Sequence, residues 1–201
     1  MSEQGLNNEP RTTPFLHYAE WFELAESIDP QPHAAAFATS SAEAIPSVRM
    51  VLVRHWGEQG FDVFTDLRSG KSQDISSNPR AELNWHWKGL GAQVRVSGSV
   101  ISIPSAEVEQ YWSGRPRESQ ISASVSNQSA PIEDRLALDR NREKFVETIN
   151  NDEEILLPDN WGGFRVVPVR FEFWVHDDYR FHHRIEYRTT SQGWRTQTLQ
   201  P

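Results

Sequence analysis

Two stretches of this chain concentrate side chains that can hold an anion or move a proton. The first is WVHDDYRFHHRIEY (174–187), with His176, His182 and His183 set among Asp177, Asp178, Arg180 and Arg184. A metal site needs ligands that converge on one point, away from competing cations. With a strand over 180–186, the two-residue period puts Arg180, His182 and Arg184 on one face and Phe181, His183 and Ile185 on the other. Two guanidiniums beside His182 oppose a dication, so no metal ligand set is assigned. Asp177 and Asp178 are read as the hairpin turn, where aspartates bond to nearby backbone. The cationic row suits an anionic or electron-rich ligand, with Arg offering planar donors and His a proton. It equally suits a solvated strand face whose arginines pair with acids.

The second stretch is YWSGRPRESQISASVSNQS (111–129). Arg115, Arg117, Ser119, Gln128 and Ser129 form the kind of donor set that phosphate recognition uses, guanidinium charge plus hydroxyl and amide. The other reading is a polar surface loop. RMVLVR (49–54) places arginines at both ends of an apolar strand, which also fits an edge strand with charged ends. RSGKS (68–72) resembles the end of a phosphate-binding P-loop, but Thr65 stands where that motif needs its first glycine. G-x-G-x-x-G, H-E-x-x-H and G-x-S-x-G are absent from the sequence.

The elements that must position these residues follow from pattern. PFLHYAEWFELAESI (14–28) carries Phe15, Tyr18, Phe22 and Ala25 at helical spacing. Strands are expected over 33–40, 46–56, 61–66, 80–88 and 93–103, the fourth with Ala81, Leu83, Trp85 and Trp87 alternating with polar residues. A short helix fits GKSQDISSNP, and further helices fit 104–112, 119–126 and 132–149. The last third returns to strands in GGFRVVPVRFEFWV, YRFHHRIEYRT and GWRTQTL. This is a mainly β chain with added helices, an α+β closed or split β-barrel. The boundaries expected are a mobile N-terminal tail over 1–13 and a single domain over 14–201.

Composition narrows the function classes. With 201 residues and eight tryptophans the chain can bury a substantial core. A formal net charge of −8 speaks against a nucleic-acid partner. The absence of cysteine excludes disulfides, thiolate catalysis and cysteine-bound metal. No apolar run reaches membrane-spanning length and the N-terminus has no apolar leader, so a cytoplasmic protein without a membrane partner is expected.

Taken in order, RMVLVR, FTDLRSGKSQDISSNPRAEL, RPRESQISASVSNQS, WGGFRVVP, FEFW, RFHHR and the final LQP resemble the pyridoxamine 5′-phosphate oxidase family, from about residue 15 to Pro201. The resemblance implies an FMN-binding split barrel that forms a homodimer through its C-terminal region. It implies oxidation of pyridoxine 5′-phosphate or pyridoxamine 5′-phosphate to pyridoxal 5′-phosphate, with O2 as acceptor and H2O2 as product. Arg49, Met50, Val51, Leu52 and Val53 would line the FMN site, with Phe64 and Thr65 beside the flavin, Lys71 on its phosphate and Gln93 in contact with it. Gln128, Ser129, Trp174 and Arg184 match residues that reach FMN, some of them from the partner subunit. Arg54, Tyr111, Arg115 and Ser119 match the substrate-phosphate clamp. Arg180 and His182 match the catalytic pair over the pyridine ring. The chain departs from the family at Arg54, usually lysine; Gly70, usually arginine; Gln31 and His183, usually aspartate; and Phe181, usually leucine. Two readings stand beside this one: a related FMN oxidase acting on another ring compound of the phenazine-precursor type, and a non-catalytic flavin- or pyridoxal-phosphate-binding protein.

Overall fold

The computed structural model describes residues 6–150 and 153–201. Helix α1 (Pro14–Ile28) begins where Thr13 Oγ1 accepts the amide of Leu16 at 3.2 Å, with proline at the first helical position. Its buried stripe is His17, Tyr18, Trp21, Phe22 and Ala25, spaced as the period requires. The chain then forms β1 (Ala34–Ser40), β2 (Pro46–Leu52), β3 (His55–Gly57), β4 (Gly60–Asp66), α2 (Gly70–Ser77), β5 (Arg80–Trp87) and β6 (Ala92–Ser102). Helices α3 (Ser105–Ser113), α4 (Arg117–Val125) and α5 (Arg135–Glu147) follow, and β7 (Trp161–Val175), β8 (His183–Thr190) and β9 (Gly193–Leu199) close the chain.

Among the described residues, nine strands join one antiparallel sheet in the order β2-β1-β5-β6-β7-β4-β3, with β8 on β7 and β9 on β8. The sheet forks at β7. One edge of that strand follows β6 along nearly its whole length, with a register shift at Ser97/Gly98. The other edge pairs first with β4, Phe61↔Val166 to Asp66↔Trp161, and then with β8, Arg170↔Arg188 to Val175↔His183. The expected split β-barrel with added helices is the fold.

The main core is aromatic. Tyr18, Trp21, Phe37, Phe61, Trp85, Trp87, Phe171 and Phe173 are fully or almost fully buried, and the alternation expected in β5 holds, with Ala81, Leu83, Trp85 and Trp87 inside. A smaller core of Val108, Trp112, Ile121 and Trp161 seats α3 and α4.

Two strand expectations need correction. The strand expected over 46–56 breaks after Leu52: Val53 turns inward, bonds His33 O through its amide and is fully buried, and pairing resumes only at His55. The strand expected from Tyr179 begins at His183. Asp177 Oδ1 accepts the amides of Tyr179 and Phe181, and Arg180 has φ 66°, a left-handed conformation that no sheet ladder accepts. Arg180 and His182 therefore sit in the turn, and the alternating face drawn through 180, 182 and 184 does not exist. At the other terminus, residues 6–13, expected as part of the tail, lie against the body. Arg11 N donates to Tyr187 Oη at 2.7 Å, Asn8 Nδ2 to His183 O at 3.1 Å, and Arg11 pairs with Glu20. Residues 1–5 lie outside the described residues.

Candidate active site

A cavity of about 1220 Å³ opens where edge strand β2 comes near β4, closed by the start of α2, by α3 and by the start of α4. At one end it is lined by Arg49, Met50, Val51, Leu52, Thr65, Lys71, Gln128 and Ser129. Arg49 Nη1 donates to Phe37 O at 3.0 Å and Thr39 Oγ1 at 2.7 Å, and Nη2 donates to Ser47 Oγ at 2.6 Å. Lys71 is 8% exposed, yet its ammonium meets only neutral oxygens: Thr65 Oγ1 at 2.9 Å, Ser69 Oγ at 3.1 Å and Gln128 Oε1 at 2.6 Å. Burial, and then the charge of Arg49, pull the Lys71 pKa down to about 8 against the opposing effect of Asp66. Burial also lowers Arg49 from its ordinary value, offset in part by Asp74. Ser129, next to Gln128, holds φ 72°, and its Oγ accepts the Gly70 amide at 3.3 Å. A non-glycine residue in that region stores strain, and such residues gather where a ligand is clamped.

The other end is lined by Arg54, Phe64, Tyr111, Arg115 and Ser119. Phe64 and Tyr111 stack face to face with ring centres 3.7 Å apart. Phe64 lies flat because Gly163 faces it across β4–β7; a Cβ there would sit 2.9 Å from Phe64 Cδ1. The Arg115 guanidinium lies 4.6 Å from the Trp161 ring centre, within cation–π range. It donates from Nη2 to Ser119 O at 3.1 Å, while its buried Nε has no partner among the described residues. Burial lowers the Arg115 pKa, Tyr111 works against that fall and Arg54 adds to it.

Two carboxylates also line the cavity, and both are committed elsewhere. Arg165 donates from Nε and Nη2 to Asp62 at 2.7 and 2.9 Å, and from Nη2 to Glu107 at 2.7 Å. These bonds fasten α3, which carries Tyr111, onto β4 and β7. They also leave Arg54, Lys71 and Arg115 facing the cavity beside Arg49, which Asp74 balances in part at 3.7 Å, so the wall keeps an excess of positive charge. Such a wall fits doubly charged phosphate groups, and the volume exceeds that of most single-ligand pockets.

A second group lies outside this cavity. Gln93, Trp174 and Arg184 are consecutive cross-strand partners on β6, β7 and β8. The His182 ring lies 4.6 Å from Trp174, and its Nδ1 accepts the Asp177 amide at 3.1 Å, which leaves the proton of the neutral ring on Nε2. Among the described residues no cluster of His, Asp and Glu is arranged to hold a metal.

The sequence is matched by the family model described as pyridoxamine 5′-phosphate oxidase over residues 23–148. The model of the pyridoxine 5′-phosphate oxidase C-terminal dimerisation region matches residues 161–201. The chain belongs to the pyridoxamine 5′-phosphate oxidase family. Among its relatives, the pyridoxine/pyridoxamine 5′-phosphate oxidase of Anaeromyxobacter dehalogenans is 45% identical over 181 residues, 89% of this chain and 91% of that one. The enzyme of the same name from Gluconobacter oxydans is 38% identical over 192 residues, 95% and 96% of the two chains. Among solved structures, PhzG from Burkholderia lata 383 in complex with tetrahydrophenazine-1-carboxylic acid superposes with a TM-score of 0.90 at 25% identity, covering 96% of this chain and 95% of that one. A pyridoxamine 5′-phosphate oxidase-related, FMN-binding protein from Nostoc punctiforme shares the fold, with a TM-score of 0.77 at 16% identity over 96% of this chain and all of that one.

Of the residues that the family resemblance singles out, the cavity brings together those from Arg49 to Leu52, Arg54, Phe64, Thr65, Lys71, Tyr111, Arg115, Ser119, Gln128 and Ser129. Val53 is in the core, and Gln93, Trp174, Arg180, His182 and Arg184 stand apart. Sequence reasoning missed His55, whose ring meets Tyr111 edge-on at 5.0 Å, and the brace through Arg165. His55 directly follows Arg54, and that adjacency was its only signal. Among the described residues, no helix is long and apolar enough to cross a membrane.

Proposed function

We propose that this chain is an FMN-dependent oxidase that converts pyridoxine 5′-phosphate and pyridoxamine 5′-phosphate to pyridoxal 5′-phosphate, passing electrons to O2 and forming H2O2; with the amine substrate, water supplies the aldehyde oxygen and ammonia leaves. The observation that carries the reading is the cavity's unbalanced charge: Arg49 and Lys71 at one end and Arg54 and Arg115 at the other, with the lining acids held by Arg165. Two separated cationic ends suit two phosphate groups, one on the cofactor and one on the substrate.

When bound, FMN supplies the hydride acceptor and the route to dioxygen. The protein's part is binding and orientation. Arg49, Lys71, Gln128 and Ser129 hold the cofactor phosphate. Arg54, Tyr111, Arg115 and Ser119 hold the substrate phosphate. Met50, Val51, Leu52, Phe64 and Thr65 form the wall against which the flavin packs. The matched dimerisation region supports a homodimer, in which Gln93, Trp174 and Arg184 of one subunit reach the flavin of the other and Arg180 and His182 cover the pyridine ring. Fixing the carbon that gives up hydride against the flavin is the main catalytic contribution. No protein nucleophile is required.

A ring substrate without phosphate, such as the carboxylic acid in the PhzG complex, would offer Arg54 and Arg115 a singly charged carboxylate in place of a phosphate dianion. The test is a visible spectrum of the purified protein followed by addition of pyridoxine 5′-phosphate under air. Yellow protein and accumulating pyridoxal 5′-phosphate are expected. Bound flavin without product would overturn the substrate assignment.

A further inference from the structure

The reading above gives Arg184 a place against the flavin, but Arg184 is a long side chain with many conformations open to it. Its direction is set by Glu172, which is 2% exposed. Glu172 Oε1 accepts from Arg184 Nε at 2.9 Å and Nη2 at 2.7 Å. Gln200 O takes Nη1 at 2.7 Å. Three of the five guanidinium N–H groups are thereby fixed, and one remains on each terminal nitrogen for a ligand.

The sheet register explains why a carboxylate stands there. Along one face of β7, Trp174 is followed two residues away by Glu172 and then by Arg170. Glu172 faces Arg95 on β6 and Glu186 on β8. Its Oε2 accepts from Arg170 Nη2 at 2.7 Å and Arg95 Nη1 at 3.4 Å. Two carboxylates directly opposite each other would repel, but Arg170 bridges them, bonding Glu186 through Nε and Glu172 through Nη2. Glu186 has its own clamp in Arg188 and Gln197, so its second oxygen is spoken for. Glu172 Oε1 therefore has Arg184 as its one charged partner among the described residues.

We propose that Glu172 is a positioning residue for flavin binding: it touches neither cofactor nor substrate and acts by aiming Arg184. The inference rests on the reading that Arg184 reaches FMN. A purely structural role, balancing Arg95 and Arg170, makes a different prediction, and a double-mutant cycle separates the two.

The experiment measures FMN affinity of the full-length apoprotein by flavin fluorescence titration, for Glu172→Gln, Arg184→Ala and the double variant. Thermal unfolding is followed in parallel. Each single variant is expected to weaken FMN binding by roughly tenfold or more, as the loss of an orienting partner commonly does. The double variant is expected to bind as Arg184→Ala alone does, within about twofold, because the two changes remove one interaction. Glu172→Asp, which keeps the charge that Arg95 and Arg170 need but draws the carboxylate back from Arg184, covers the case in which the glutamine variant does not fold; it is expected to show the same coupling. Additive losses overturn the positioning role and leave the flavin site standing, as does unchanged affinity in the Glu172 variants when Arg184→Ala is weakened. FMN affinity unaltered by Arg184→Ala overturns both.

Discussion

Lys71 Nζ donates to Gln128 Oε1 at 2.6 Å, joining the start of α2 to the turn that follows α4. The same oxygen accepts the Thr65 hydroxyl at 2.8 Å, so strand, helix and turn are tied at one amide carbonyl. Around this knot a buried cation is solvated only by neutral groups. That is a costly arrangement unless an anion is meant to complete it.

The pH dependence follows from that cost. In the apoprotein Lys71 gives up its proton near pH 8, whereas a phosphate dianion favours the charged ammonium. FMN affinity is therefore expected to hold below about pH 8 and to fall above it, by up to about tenfold per pH unit. Apoprotein stability moves the other way in that range. Between about 8 and the ordinary lysine value of 10.5 the unfolded chain binds more protons than the native one, so this group makes stability rise with pH. Titrations at several pH values, with Lys71→Met as control, check both signs; a flat affinity profile would sink the assignment.

Arg49 is held by Phe37 O, Thr39 Oγ1 and Ser47 Oγ before any ligand arrives. Arg49→Ala should weaken FMN binding about 10- to 100-fold, the range for losing a charged hydrogen-bond donor. Gel filtration should then separate flavin absorbance from protein. Full retention of the yellow colour would refute the role.

Arg180 occupies a left-handed turn position outside the cavity of its own chain. Its replacement by alanine should leave bound FMN unchanged while kcat/KM for pyridoxine 5′-phosphate drops roughly tenfold or more. An unaltered rate would remove Arg180 from the substrate site.

His17 is fully buried, stacked on Phe173 with ring centres 3.8 Å apart, and burial pushes its pKa down to about 4. Between the ordinary value of 6.5 and about 4 the unfolded chain binds the extra proton. Stability should thus decline on acidification through that window, at a limiting slope of about 1.4 kcal/mol per pH unit. His17→Phe should abolish this contribution because phenylalanine binds no proton; the contact of His17 Nδ1 with Tyr187 Oη at 3.1 Å is lost, while Tyr187 Oη keeps its bond from Arg11 N. Denaturant unfolding at pH 7, 5.5 and 4.5 distinguishes the variants; parallel curves would contradict the account.

What was legible in the sequence depended on how local its cause was. The alternation in β5 and the stripe of α1 are set by burial on one face, so pattern alone located them. The cations that line the cavity were visible as types, and the family motifs placed them. The turn at Arg180 was hidden because Asp177 overrides the strand propensity around it through bonds to two amides, and no period reports such a cap. The Arg165 brace was hidden for another reason: Asp62, Glu107 and Arg165 are remote in sequence and meet only once β4, α3 and β7 are assembled.

The forked strand β7 carries this further. The cavity faces its start, where Gly163 supports Phe64, and the Gln93–Trp174–Arg184 row crosses its far end, about 35 Å of strand away. If each site is built from the cavity of one chain and the row of another, catalysis belongs to the pair, and defects can compensate between chains. A Lys71→Ala chain keeps a sound row and an Arg184→Ala chain keeps a sound cavity. At FMN concentrations too low to fill a weakened site, neither variant alone forms a working site, but a mixed dimer has one intact site in two. Equal co-expression with random assortment should restore about a quarter of wild-type turnover.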